Sequence, residues 1–201
     1  MLGGLIDRAR LFRWRRQQMT SLPLRAFFAE RYGIEVGLYS YGCFDRWRMP
    51  GPLRIGSYCS FGSTVRVVDS NHPIDGITTH PLIYEAAHGV IAADALSPAP
   101  LIIEDDVWVG HNTVILPGCK FIGRGAIIGA GSIVTRNVEA YSIVAGNPAK
   151  SLRQRFDAEL ITALEVSRWW TRDLADLARI EREFDHAVTN PTPAKLAKAF
   201  A

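Results

Sequence analysis

Between Leu101 and Lys150 the chain repeats itself every six residues. With Ile103, Val109, Ile115, Ile122, Ile128 and Val134 as first members, the fifth members are Val107, Thr113, Cys119, Ala126, Ser132 and Val138, so the rule is an aliphatic residue first and a small one fifth. Second members are often Gly or acidic (Glu104, Gly110, Gly123, Gly129), which reads as a place where backbone torsion matters more than side-chain bulk. One step, from Ile115 to Ile122, is seven residues long and points to a bulge at Lys120 or Phe121, at a corner. A helix needs apolar spacings of three and four and an ordinary strand needs alternation, so neither period explains the run. A short fixed repeat without helical period predicts a parallel β-helix, in which each coil buries its aliphatics against the coils above and below.

The same rule starts at Val36 (VGLYSY), resumes at Ile55 and Phe61, and fails in the block from Val67 to His72, where Asn71 stands in place of a small residue. Residues 73–100 carry no repeat and hold Pro73, Pro81, Pro98 and Pro100, which predicts a long excursion of the functional kind. Before the repeat, Leu2, Leu5, Ile6, Ala9 and Phe12 share a helical face while Arg8, Arg10, Arg13, Arg15 and Arg16 crowd the rest. That face either packs on the domain or a neighbouring subunit, or makes a peripheral membrane contact through residues 1–20. A second helix, Pro23 to Arg31, ends at Gly33. After the repeat, Asp157 caps a helix carrying Leu160, Ile161, Leu164 and Trp169; another starts near Thr171, and the two cover the open end of the prism. The resulting parts are a helical segment over 1–33, the β-helix over 34–153, helices over 154–190 and a flexible tail over 191–201.

With 201 residues and an apolar share of 48%, one sizeable domain is expected. A net charge of +3 does not argue for nucleic acid, although the sequence pI of about 8.9 suits an anionic co-substrate. Cys43, Cys59 and Cys119 form no CxxC pair, and the last two fall at the small fifth position of hexads. They read as reduced packing residues of a cytoplasmic chain. No apolar run approaches the roughly 20 residues of a membrane span.

The segment IGAGSIVTRNVEAYSIVAGNPAK, Ile128 to Lys150, resembles the closing coils of the hexapeptide-repeat acyltransferases. Val36 to Trp170, with its broken coil, Asn71-His72 pair, excursion and Trp169-Trp170, resembles their xenobiotic acetyltransferase branch. The resemblance implies a left-handed β-helix, a homotrimer, acetyl-CoA as co-substrate and no metal. It also implies that the segment from Asn71 to Pro81 is the catalytic motif, with His72 as general base toward an acceptor hydroxyl, which suits an imidazole titrating near neutrality. Either Asp75 or a main-chain carbonyl would orient the ring. His80 before Pro81 departs from the family, where an aromatic is more usual.

Carried over by the same resemblance, Trp108 and Gly110 line the donor groove, and the Gly110 amide is the candidate oxyanion donor. Ala130, Thr135, Arg136, Asn147, Pro148, Lys150 and Arg153 contact the co-substrate. Tyr39, Tyr41, Asn71 and Asp75 border the acceptor. Lys150, Arg153 and Arg155 make a basic cluster suited to phosphates, with Arg155 the one better read as an edge cap. Trp108 can equally be covered by a partner subunit, and the two Tyr can be packing residues. The expected acceptor is a saccharide or related small-molecule hydroxyl, the enzyme working in the cytoplasm or at the inner face of its membrane. The alternatives are an antibiotic of streptogramin or chloramphenicol type, or the amine of an aminosugar. From other classes stand a non-catalytic trimeric scaffold and a metal-dependent hydratase similar to the γ-class carbonic anhydrases. For the latter His72, His80, His88 and His111 are numerous enough but wrongly spaced.

Overall fold

A computed structural model describes residues 2–96 and 100–201, with the backbone alone over 2–8. Pro98 of the excursion and the side chains of Leu2, Leu5, Ile6 and Arg8 therefore lie outside the described residues.

Three sheets run along the molecule and the chain visits them in rotation. The first holds β1 (Ile34–Val36), β2 (Leu53–Ile55), β5 (Leu101–Ile103) and β8 (Phe121–Ile122), all parallel. The second holds β3 (Ser60–Phe61), β6 (Trp108–Val109), β9 (Ile127–Ile128) and β11 (Ser142–Gly146) in parallel. β12 (Ala149–Gln154) then folds back antiparallel onto β11. The third holds β4 (Arg66–Val67), β7 (Val114–Ile115) and β10 (Ile133–Val134). This is the parallel coil expected from the repeat. Every first and fifth member from Ile103 to Val138 is buried, and each fully buried Ile contributes about 1.5–3 kcal/mol.

Two details of the repeat differ from expectation. Left-handed torsion falls on fourth members, Tyr39, Tyr58, Asp106, Asn112, Gly125 and Gly131, not on second ones. The second-position glycines answer to space: a Cβ on Gly110 would stand 2.6 Å from the Ala130 nitrogen of the next coil. The long step widens the corner before β8 and leaves Phe121 in register with Ile102. Asn137 closes that corner, its Oδ1 accepting from the N–H of Lys120 (2.8 Å) and Phe121 (3.0 Å).

Cys43, Cys59 and Cys119 are buried, and that burial pushes the first two thiols up to about 12 and the third up to about 11. At neutral pH they are protonated and shielded, so a thiol reagent should label the native chain far more slowly than the unfolded one. Immediate labelling of native protein, read by mass, would contradict this packing.

At the start, α1 (Leu2–Arg16) docks through Leu11 and Trp14, which pack on the core, and through Arg15, whose Nη2 donates to the Phe44 carbonyl at 2.7 Å. Phe12, expected on the packing face, is 69% exposed. Leu11, Trp14 and Arg15 thus dock a different side of the helix from the one carrying Phe12. α2 (Leu22–Tyr32) is capped by Ser21 and ends at Gly33, whose φ of 63° only glycine adopts freely.

At the other end lie α3 (Ala158–Ser167), capped by Asp157, a 3-10 turn at Trp169–Thr171, and α4 (Leu174–Glu183), which starts later than expected because Asp173 is its cap. These helices follow the corner between the first and second sheets and do not simply close the prism. β12 covers the edge of β11, while Tyr58 packs on Trp169 at 5.1 Å and Arg124 joins Glu165 at 2.6 Å and lies over the Trp170 ring at 3.9 Å. The tail is a further correction: α5 (Pro193–Ala199), capped by Thr192, buries Leu196 against Tyr141 and Leu164. A Leu and a Phe four residues apart give the segment an apolar face that anchors it. Among the described residues no helix is long and apolar enough to cross a membrane.

Candidate active site

The excursion leaves the third sheet just after Val68, whose N–H still bonds to Ile115, so Asn71 and His72 lie within it and the expected 73–100 begins too late. His72 is exposed and faces away from the prism interior. Its Nδ1 stands 2.6 Å from the carbonyl oxygen of Thr79 and 3.1 Å from the Tyr84 hydroxyl. A carbonyl has no proton to give, so the hydrogen of the neutral ring is on Nδ1, the tautomer whose Nε2 carries the lone pair. Of the two orienting groups left open by the sequence, the main-chain carbonyl is the one in contact; Asp75, like Asn71, is exposed. His80, the departure from the family, caps the 3-10 turn Pro81–Ile83 by accepting from the Leu82 N–H at 3.2 Å.

A groove of about 520 Å³ lies on the outer face of the second sheet. Tyr41, Ser60 and Trp108 form its outward column, since Tyr41 bridges to Ser60 and Ser60 pairs with Trp108. Trp108 is 55% exposed there. Sequence reasoning missed the rest of the rim, Arg15 of α1, Gln18 in the turn after it, Arg48 and His111. Only the end of a basic helix and an irregular segment hinted at them. Burial alone would raise the Asp45 carboxyl in this groove, but the Arg48 guanidinium at 3.0 Å and the neighbouring main-chain N–H groups hold it below the usual range.

Tyr39 does not join Tyr41. Its positive φ turns it to the first corner, where its ring lies 4.7 Å from Tyr58. This fits the packing alternative. Gly110 lines up with the groove but its N–H donates to Ile128 at 2.8 Å, so the amide expected to meet an oxyanion is already engaged in the ladder. Ala130 is exposed beside it on the next coil.

Thr135, Arg136 and Lys150 share a second groove of about 350 Å³ between the third sheet and β12. Asn147 and Pro148 form the exposed turn between β11 and β12, and Arg153 on β12 donates to the Gln154 carbonyl. Arg155 is drawn away from them, its Nη1 bonding to Asp106 (2.9 Å) and the Gly125 carbonyl (2.7 Å), so it ties coils together and is not the solvated edge cap expected. Among the described residues no three His, Cys, Asp or Glu side chains are gathered as a metal would need.

The family model described as "Bacterial transferase hexapeptide (six repeats)" matches residues 100–136. A chloramphenicol acetyltransferase of Escherichia coli is 38% identical over 154 residues, covering 70% of this chain and 73% of that one. The chain belongs to the hexapeptide-repeat acyltransferases, in their xenobiotic acetyltransferase branch. It is an acetyltransferase. A probable macrolide acetyltransferase of Lysinibacillus sphaericus is 40% identical over 59% of this chain and 68% of its own. A crystal structure of a maltose O-acetyltransferase from Clostridium difficile 630 is 26% identical, with a TM-score of 0.47 over 63% of this chain and 61% of that one.

Proposed function

We propose that this hexapeptide-repeat enzyme is an acetyl-CoA-dependent O-acetyltransferase, wound as a left-handed coil, working as a homotrimer, with His72 as its general base. The observation that supports the base is the Nδ1 contact with the Thr79 carbonyl, which leaves Nε2 ready to accept a proton. As the acceptor oxygen attacks the acetyl carbonyl carbon, its proton passes to Nε2. The C–S bond then breaks and the proton leaves with the thiolate as free CoA. No acyl-enzyme is formed, consistent with three thiols that burial keeps protonated.

A trimer suits the separation of parts. The groove with Tyr41 and Trp108 is lined without His72, so a partner's excursion would bring a base to it. The Thr135, Arg136 and Lys150 groove, with Arg153 nearby on β12, is the place for the CoA phosphates. For the acceptor, the exposed Tyr41 and Trp108 favour a small molecule with an apolar or aromatic part, and the chloramphenicol and macrolide relatives point the same way. A saccharide hydroxyl, expected from the basic first helix, is the other arm of the test.

That test is release of free thiol from acetyl-CoA in the presence of chloramphenicol, a macrolide, a streptogramin, maltose and an aminosugar. An antibiotic hydroxyl is expected to give the largest rate. No release with any acceptor, together with no calorimetric binding of CoA, would leave the scaffold reading in its place.

A further inference from the structure

Tyr84 is a feature that neither the repeat nor the motif accounts for. It sits in the excursion yet is only 8% exposed. The 3-10 turn Pro81–Ile83 delivers it: its N–H donates to the Pro81 carbonyl at 3.0 Å, and its own carbonyl accepts from Ala95 at 2.9 Å. The backbone is thereby tied on both sides. From that position the ring meets His72 edge to face, with centroids 5.4 Å apart and planes at 86°, and its hydroxyl lies 3.1 Å from Nδ1.

We infer that Tyr84 is a positioning residue, which packs against the His72 ring and shares its Nδ1–H with the Thr79 carbonyl, holding the imidazole in the tautomer whose Nε2 is proton-free. The inference rests on the reading of His72 as the base. A single carbonyl would leave an exposed imidazole free to swing about its bond to Cβ; a ring at right angles restricts that swing. The hydroxyl oxygen can only accept here, because Nδ1 already carries the hydrogen that the carbonyl requires. Both oxygens face the same N–H, so they favour the imidazolium that forms when Nε2 takes a proton. Among the described residues Tyr84 is the titratable group in contact with His72. Glu85 pairs with His88 at 3.4 Å, and His80 stacks on His88 at 5.8 Å.

The experiment compares Tyr84→Phe, Tyr84→Leu and His72→Ala in the full chain. Nitrogen NMR of the resting protein reads the His72 tautomer and its titration without any acceptor. Tyr84→Phe keeps the ring and loses the oxygen, so the His72 Nδ1–H resonance should shift as one of its two acceptors is removed. The acid limb of kcat/KM should move to lower pH as the imidazolium loses that acceptor. Tyr84→Leu loses the packing as well, and kcat should drop between about 10- and 100-fold with KM for acetyl-CoA nearly unchanged. An unmoved Nδ1–H resonance and an unmoved acid limb in Tyr84→Phe would overturn the inference. So would a loss confined to KM and thermal stability, the mark of loop packing alone. Parent turnover in His72→Ala would instead remove the base reading beneath it, and the NMR result would still report the contact.

Discussion

Replacing His72 with alanine is expected to lower kcat by about 10²- to 10⁴-fold, the range a positioned general base supplies. The affinity for acetyl-CoA should stay nearly the same. His72 is exposed and, among the described residues, its polar contacts are the Thr79 carbonyl and Tyr84 of the excursion, so its removal leaves the buried first and fifth members of the coil untouched. Substitutions at such sites usually cost within about 0.5 kcal/mol of stability, which makes a loss of turnover readable as chemistry. The CoA groove is built from other elements, Thr135 and Arg136 after β10 and Lys150 on β12, and has no residue in common with the excursion. Steady-state rates paired with calorimetry of CoA binding check both halves. Turnover at the parent level would exclude His72 as the base. A collapse of CoA affinity would mean that the excursion and the phosphate groove are coupled in a way this geometry does not contain.

Much of the coil was legible because burial in a stacked prism acts on side-chain size at fixed intervals. Ile103 and Val107, or Ile128 and Ser132, announce which positions face inward, and they do. The corners were less legible. Tyr39, Tyr58, Asp106 and Asn112 adopt left-handed torsion without being glycine, so composition hid the fourth-position rule. The second-position glycines meanwhile suggested torsion when their role is to let coils approach. Alternation placed Tyr39 and Tyr41 together, whereas the corner between them sends one to Tyr58 and the other to the groove. Contacts that depend on main-chain position were out of reach altogether. Nothing in the order of residues says that the Thr79 carbonyl faces His72 or that the Gly110 amide is spent on Ile128. Tyr84 carries a faint signal, the one Phe, Tyr or Trp in the stretch 73–100.

The second large effect concerns a charge that the sequence offers as one more basic residue. Arg25 lies on the face of α2 that also carries Leu24 and Phe28, and it is 8% exposed. Among the described residues its guanidinium has no carboxylate partner and instead donates to main-chain carbonyls: Gly37 at 2.7 Å, Gln18 at 2.8 Å, Met19 at 3.0 Å, Ser21 at 3.1 Å and Ser40 at 3.4 Å. Burial pushes the guanidinium down, but it is too basic to lose its proton near neutrality, so the buried charge has to be met by these dipoles. The fork thus fastens the link between α1 and α2 to the first coil. Arg25→Met would fill much of the same volume while leaving several partly buried carbonyls without a donor, and each hydrogen bond to a charged group is worth about 1.5–3 kcal/mol. Since exposed carbonyls can recover water, the expected loss is about 4 kcal/mol, measured by denaturant titration at one protein concentration because assembly shifts apparent stability. Arg25→Lys should recover only part of it, because an ammonium has three donors on a single point and cannot span carbonyls on both sides of the planar fork. Limited proteolysis should open first around Gln18, whose carbonyl loses its donor while that of Met19 keeps the Tyr39 N–H at 2.7 Å. A midpoint for Arg25→Met within about 1 kcal/mol of the parent would mean that water already satisfies these carbonyls and that apolar packing alone seats the N-terminal helices.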